Sequence, residues 1–170
     1  NGLLNPGLYE LAVAEYRKFL ANHSDHAKAP LAHYGLGVAL FRLKQSEEAL
    51  KEFDSITITP GFPYVAEVAV MRGQLLIQAA RFADAVAALS PVLKNHRDHD
   101  LADDAAALHV EAQYRAGDSA ATAETAGEFQ RQWPTNPMLD RVQLFAVLAL
   151  IAGGDDDRAN AVLESLTSHS

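Results

Sequence analysis

Two short segments of this sequence carry side chains that could bind a metal ion. His23-Ser24-Asp25-His26 and His96-Arg97-Asp98-His99 share the form His-x-Asp-His. Imidazole nitrogens and carboxylate oxygens suit zinc or nickel. The segments are two repeats apart in the periodic pattern described below, which separates them by more than one coordination sphere. We therefore predict no metal site. We interpret both segments as polar loops in which an aspartate lies near the start of the next helix. The alternative is a metal site.

The other residue types that support catalysis do not form a recognisable site. Cysteine is absent, which removes disulfides, thiolate nucleophiles and cysteine-based zinc sites. No glycine-rich phosphate loop is present, because Gly35-x-Gly37 lies inside a predicted helix that no strand precedes. We predict that the chain is not an enzyme, has no catalytic residues and needs no cofactor.

The charge balance excludes some partners. The 170 residues include 14 Lys and Arg against 22 Asp and Glu, a formal net charge of -8. A phosphate backbone or an anionic membrane surface would repel such a chain, so we predict no nucleic-acid partner. The uncharged run 144–154 is far shorter than the roughly 18 residues that span a bilayer, so we also predict no direct membrane insertion.

A repeat organises the chain. The sequence is 49% hydrophobic and 21% charged, and it is rich in alanine, which favours a globular all-helical protein. Small residues recur at intervals of 36 or 37, and a large residue usually follows four and seven positions later, the spacing of one helix face. The small residues are Ala12, Ala49, Ala85, Thr122 and Ala159.

The repeat predicts pairs of helices joined by tight turns. The turns are predicted at Pro6-Gly7, Lys44-Gln45, Ala80-Arg81, Gly117-Asp118 and Gly154-Asp155. We predict a single array, 1–170, of about four and a half repeats, cut from a longer protein. Its units are the second helix of a truncated repeat in 1–27, then 28–63, 64–100, 101–137 and 138–170. The predicted helices are 8–22, 30–43, 46–56, 64–80, 82–95, 101–116, 118–132, 138–152 and 156–167.

Glycine occurs at one register position inside two of the first helices. Gly37 and Gly73 each lie twelve residues before the small marker residue of the next helix, where Val110 and Val147 stand in later repeats. Glycine within a helix costs about 1 kcal/mol relative to alanine. Its recurrence therefore predicts close approach of the paired helices.

These residues resemble the tetratricopeptide repeat family. The best copy has Leu36-Gly37 and Leu40 in its first helix and Ala49 and Phe53 in its second. The resemblance covers the whole chain and weakens in the last two repeats. It implies an all-α, right-handed superhelix of antiparallel helix pairs whose first helices line a concave face, the usual peptide groove of the family.

The first segment, 9–30, resembles the bacterial cell-envelope branch of that family, which includes Tol-Pal-associated periplasmic proteins and outer-membrane assembly lipoproteins. This resemblance favours the periplasm or the cell envelope as the location. The matching residues are Tyr9, Ala12, Tyr16, Phe19, Leu20, Asp25, Ala29 and Pro30.

The resemblance places a binding groove on the first helices. The Lys-Asn-Arg clamp of the family members that bind chaperone tails is missing, because Val38 and Gln74 stand at its asparagine positions. An apolar stripe flanked by acids suits a protein partner with apolar anchors and some basic residues; the alternative is that these residues complete packing between repeats. The predicted groove residues are Tyr34, Val38, Phe41, Arg42, Glu67, Val70, Gln74, Ile77, Asp104, Glu111, Tyr114 and Arg115.

The segment 144–151 is apolar on every helical face. A terminal repeat needs a polar outer face, so this segment predicts either a buried core helix or a neighbour, which would be a further repeat or a second copy forming a homodimer. The sequence thus predicts a non-catalytic scaffold for a protein or peptide partner. Its alternative is a structural, self-assembling spacer in a larger envelope protein.

Overall fold

The computed structural model describes residues 6–56, 58 and 61–167, and within these residues all regular structure is helical. The predicted tail at 1–4 lies outside the described residues, as do Thr57, Thr59 and Pro60 of the predicted loop 57–63. The described helices are α1 (Pro6–Asn22), α2 (Ala29–Arg42), α3 (Ser46–Asp54), α4 (Val65–Gln78), α5 (Phe82–Asn95), α6 (Ala102–Ala116), α7 (Ser119–Gln132), α8 (Leu139–Ala152) and α9 (Asp156–Thr167).

The helices stack in sequence as a solenoid. Each helix from α1 to α8 packs on the next one along the chain, and α6 also packs on both α4 and α8. The first helices α4, α6 and α8 thus lie side by side in sequence order. The predicted all-α architecture is confirmed, and the predicted helices agree with the described ones to within two residues at each end. None of the described helices is long and apolar enough to cross a membrane.

Four of the five predicted turns share one backbone geometry. Their first residues, Lys44, Ala80, Gly117 and Gly154, have φ values of 62°, 56°, 83° and 78°. In each turn the next residue donates its N–H to a carbonyl five positions back, as from Gln45 to Leu40 at 2.9 Å, which is the Schellman helix ending. The turn predicted at Pro6-Gly7 is wrong. Both residues belong to α1, where proline fits the first turn because no N–H is needed there.

Small and large residues interlock between the two helices of a pair. A Cβ atom added to Gly37 would lie 2.6 Å from Cε1 of Phe53, and one added to Gly73 would lie 2.8 Å from the Leu89 side chain. The predicted close approach at both glycines is confirmed.

In the last two helix pairs, residues of other sizes occupy the positions of this contact. In the pair α6–α7 the sizes are exchanged, because Val110 meets the small Ala126 in one buried cluster. In the pair α8–α9 both positions are large, with Val147 buried and Leu163 41% exposed.

We expect Gly37→Ala to destabilise the fold and Gly127→Ala to stabilise it. The new methyl at 37 would clash with the buried Phe53 ring and cost about 1–3 kcal/mol, more than the gain in helix propensity. At Gly127, also within a helix, the nearest atom to the methyl would be Arg131 Nη1 at 3.6 Å, so about 1 kcal/mol of propensity is gained. Urea unfolding of both variants measures the difference, and equal shifts would contradict the packing role of Gly37.

Candidate functional site: the face of the first helices

The twelve predicted groove residues lie on α2, α4 and α6, as the repeat register requires. Three register positions of each first helix, at −3, +1 and +4 from the Gly37 position, form one stripe along its surface. The stripe consists of Tyr34, Val38 and Phe41 on α2, Val70, Gln74 and Ile77 on α4, Ala107, Glu111 and Tyr114 on α6, and Leu144, Leu148 and Ile151 on α8.

Tyr34 forms an aromatic pair with a residue that the sequence analysis did not single out. Its ring stacks on that of Tyr64, which lies directly before α4, with centroids 4.3 Å apart and planes within 9°. Both rings line an open groove of about 460 Å³ that also contacts Val38. Burial raises the pKa of Tyr34, and the charge of Glu67 and the neighbouring Tyr64 add to the shift. A tyrosine hydroxyl is protonated at neutral pH even without this shift, so Tyr34 can donate a hydrogen bond.

Two carboxylates near this face lack a strong cationic partner among the described residues. One oxygen of Glu67, Oε2, is buried without a hydrogen-bond partner, and the other lies 4.0 Å from Nε2 of His99. The pKa of Asp104 is raised, first by burial and then by the neighbouring Asp103. Both acids therefore favour a nearby positive charge that these parts of the chain do not supply.

Glu111 differs from these two acids because its charge is neutralised within the fold. Its side chain is buried, and its oxygens pair with Arg115 at 2.9 Å and with Arg141. The guanidinium of Arg141 also lies 5.7 Å from the centre of the Phe145 ring, and that ring lies 5.2 Å from Tyr114. Glu111 and Tyr114 thus join α6 to α8, whereas Arg115 pairs with Glu111 within α6.

The structure buries several other predicted groove residues. Val70 and Ile77 are less than a tenth exposed and belong to core clusters. Val38 and Phe41 are partly buried against the core around Leu40. These four side chains pack against the core, as the alternative interpretation of the sequence has it. Arg42 and Arg115, by contrast, are exposed.

The stripe is exposed on α8 alone among the four described first helices. Leu144, Leu148 and Ile151 are 52%, 38% and 52% exposed. On α6 the equivalent residues are covered by Arg141 and Phe145 of α8, and on α2 the ring of Tyr64 covers Tyr34. The segment 144–151 therefore buries its other faces, as a core helix does, and presents one apolar stripe to solvent.

The His-x-Asp-His segments form turns. The Nδ1 atoms of His26 and His99 accept hydrogen bonds from the backbone N–H groups two residues on, at 3.1 and 3.2 Å. In the next equivalent loop Asn136 replaces the histidine, and its Oδ1 accepts the N–H of Met138 at 2.8 Å. An amide and an imidazole share this position because each offers an acceptor for the same backbone group. Within the described part of the chain, no three His, Asp or Glu side chains are grouped to hold a metal ion.

Three further residues of this face are exposed, although the sequence did not predict them to be part of a binding surface: Tyr16, Leu31 and Tyr64. They line the same 460 Å³ groove. Tyr16 sits at the repeat position of Phe53, which the sequence analysis associated with core packing. Its environment depends on which helix covers α1, and periodicity alone does not report that.

The comparisons with known proteins agree with this fold. A family model for the tetratricopeptide repeat matches residues 2–63. No curated protein sequence matches the chain. Among solved structures, the chain is similar to YrrB, described as a TPR protein with an unusual peptide-binding site, at 17% identity and a TM-score of 0.74. That match covers 93% of this chain and 76% of YrrB.

Structures of MamA are also similar. A MamA RS-1 double mutant matches with a TM-score of 0.72 and 16% identity, over 97% of this chain and 86% of the mutant. MamA 41-end from Desulfovibrio magneticus RS-1 matches with a TM-score of 0.67 and 14% identity, over 94% of this chain and 93% of that protein. At these identities the likeness concerns the fold.

We expect His99→Ala to lower the free energy of unfolding by about 0.5–1.5 kcal/mol, because a backbone N–H loses its acceptor. His99→Asn should retain most of the stability, since Asn136 performs the same task two helices later. Urea unfolding measures both. Zinc should leave the melting temperature unchanged; a zinc-dependent rise that a His23/His96 double substitution removes would establish a metal site instead.

Proposed function

We propose that this chain, a tetratricopeptide-type solenoid by its fold and by residues 2–63, is a non-catalytic scaffold that binds a protein partner. The partner lies as a peptide or helix along the face of the first helices. The observation that carries this proposal is the stacked pair of Tyr34 and Tyr64 beside Glu67, at the edge of an open groove. An apolar anchor can contact the rings while a basic side chain reaches the carboxylate.

The charge of the site supports a partner with basic residues. The chain carries a net charge of -8, and Glu67 and Asp104 have no strong cationic partner among the described residues. A lysine or arginine of the ligand would pair with the partly exposed carboxylates of Glu67 and Asp104, and charge-assisted hydrogen bonds of this kind are the stronger ones. Glu111 does not contribute, since Arg115 and Arg141 already neutralise it.

The similar structures and the first segment add context to the proposal. The solved YrrB structure is described as having an unusual peptide-binding site, which supports peptide binding by this fold. The pattern of residues 9–30 supports a place in the bacterial cell envelope. A scaffold at that location acts by surface complementarity and needs neither a metal nor a cofactor.

Selection from a random peptide display library tests the groove. Peptides that bind the wild-type chain should be enriched in aromatic or aliphatic anchors next to Lys or Arg. Tyr34→Ala and Glu67→Gln should each weaken the selected peptides by about tenfold, because one removes the stacked ring and the other the charge. Fluorescence anisotropy measures the affinities, and higher salt should weaken wild-type binding more than binding to Glu67→Gln.

Leu163→Ala provides the matched control, because Leu163 is an exposed apolar residue on a second helix. It should bind the peptides as the wild type does. Circular dichroism of each variant checks that helicity is intact. The double variant Tyr34→Ala/Phe41→Ala removes two aromatic rings and should bind the peptides more weakly still. If neither this variant nor Tyr34→Ala changes peptide binding, the groove assignment is refuted.

A second candidate function is self-assembly through the segment 144–151. The observation that favours it is the solvent-facing stripe of Leu144, Leu148 and Ile151. The equivalent stripes on α4 and α6 lie against the following first helix, so the exposed stripe of α8 offers a ready surface to a second copy. The homodimer would make the chain a structural segment of a larger envelope assembly.

We expect Leu148→Glu to abolish any concentration-dependent dimer, because the charge would be placed in the middle of the apolar stripe. Leu163→Glu, also on an exposed leucine, should leave the dimer intact. Sedimentation equilibrium over a wide concentration range measures both. A wild-type chain that stays monomeric throughout, or a dimer that Leu148→Glu does not affect, would exclude this interface.

A further inference from the structure

A cleft lies where α8 packs against both α7 and α9. Its volume is about 200 Å³, and small residues form much of its wall, among them Gly127 of α7 and Ala146 of α8. The side chains of Gln130 and Gln143 also line it. The cleft shares no residue with the groove at Tyr34.

At the two preceding junctions between repeats, a polar pair occupies the corresponding place. Arg72 of α4 donates its Nε–H to Asp54 of α3 at 2.6 Å, and Nε2 of His109 on α6 lies 3.1 Å from Oγ of Ser90 on α5. One member of each pair lies one residue before the glycine or valine position of its first helix. The other lies five residues after the small marker residue of the preceding second helix. A long side chain thus fills this space between successive repeats.

Both of these register positions hold small residues at the junction of α7 and α8. They are Gly127 and Ala146. Among the described residues, the nearest side-chain atom to a Cβ added at Gly127 would be Nη1 of Arg131 at 3.6 Å, so the space beside Gly127 is open. The cleft therefore lies where an imidazole ring packs one junction earlier.

Gln143 is a buried polar group that lines this cleft. Its side chain belongs to a residue only 5% exposed, and no hydrogen bond joins its amide to another described residue. The equivalent positions of α4 and α6 hold Ala69 and Ala106, both members of apolar clusters. Burying an amide without a hydrogen bond lowers the stability of a fold. Gln143 therefore indicates a ligand that supplies hydrogen-bonding atoms inside the cleft.

The chain itself shows which kind of group fits between two repeats. The single hydroxyl hydrogen of Ser90 is donated to the carbonyl of Val86 at 2.7 Å, so His109 must donate its Nε2–H to Ser90 Oγ. Burial lowers the pKa of His109, which keeps the ring uncharged at neutral pH. The space between repeats thus accepts a flat, uncharged nitrogen ring.

We propose that the cleft binds a small, uncharged, planar ring that carries nitrogen, of the azole or purine class. The ring would lie against Gly127 and Ala146, and its donor and acceptor atoms would pair with the amide of Gln143. A glutamine amide presents a donor and an acceptor side by side, which is how glutamine recognises the N6 and N7 edge of adenine. The proposal does not depend on peptide binding at Tyr34 and Glu67.

Benzimidazole is a suitable probe, because it is flat, uncharged at neutral pH and carries one N–H donor and one nitrogen acceptor. We titrate it into the isotope-labelled full chain and follow amide chemical shifts by NMR. We expect a dissociation constant of about 1 mM or tighter, with the largest shifts at Gly127 and at the side-chain amide of Gln143. Indene has the same shape without nitrogen and should bind about tenfold more weakly.

Substitutions separate the hydrogen bond from the shape of the cleft. Gln143→Ala places the residue of the two preceding repeats at this position, and it should weaken benzimidazole by about tenfold without weakening indene. The double variant Gly127→Ser/Ala146→His rebuilds the hydroxyl–imidazole pair of the preceding junction and should prevent benzimidazole binding. Ala152→His is the matched control, because it adds the same ring to an exposed alanine of α8 and should bind as the wild type does. Melting temperatures check that each variant remains folded.

Any one of four results would overturn the proposal. The first is the absence of chemical-shift changes at millimolar benzimidazole, and the second is an equal affinity of the wild type for indene. The third is unchanged benzimidazole binding by Gln143→Ala, which keeps the test valid if the double variant does not fold. The fourth is a set of shifts centred on Tyr34 and Tyr64, which would place the ring in the other groove.

Discussion

The contact between a small residue on a first helix and a large residue on its second helix sets the spacing of the layers. At Gly37 the Phe53 ring occupies the space where any side chain would begin, and at Gly73 Leu89 does the same. The exchange to Val110 and Ala126 preserves the summed volume, and closely packed interiors tolerate such exchanges best. The rest of the stack depends on these contacts because no helix pair buries its apolar face alone.

The same stripe of residues has two different roles along the solenoid. Between consecutive first helices it is packing surface, as Tyr114 against Phe145 shows. On α8, where the described chain has no following first helix, it is exposed apolar surface. The same recurring pattern thus forms core where another first helix follows and exposed apolar surface where the described chain has none.

Electrostatics distinguishes the acids of the first-helix face from one another. Glu111 lies between two arginines and links two repeats. Glu67 meets only the imidazole of His99 among the described residues, and the raised pKa of Asp104 reflects burial beside another carboxyl. In the sequence all three residues are simply acids. The structure shows that Glu111 belongs to ion pairs within the fold, whereas Glu67 and Asp104 have no strong cationic partner among the described residues.

The sequence by itself determined the fold. The period of 36 or 37 residues, the helix limits to within two residues and the positions of four turns follow from local patterns, since turns and one-faced helices depend on neighbours close in the chain. The equivalence of the two histidine loops was also visible in the sequence. Their role as backbone acceptors was not, because it depends on a ring orientation that Asn136 reproduces in a third loop.

Only the tertiary structure decided which residues remain accessible. Val70, Ile77 and Leu148 occupy the same stripe and have similar chemistry, yet the first two are buried and Leu148 is 38% exposed. The same is true of Phe53 and Tyr16 at one position of the second helices. Periodicity determines which face of a helix is apolar, but the neighbour that covers this face is set by packing between distant segments. Exposure, and with it the candidate sites, therefore emerges only when the helices are stacked.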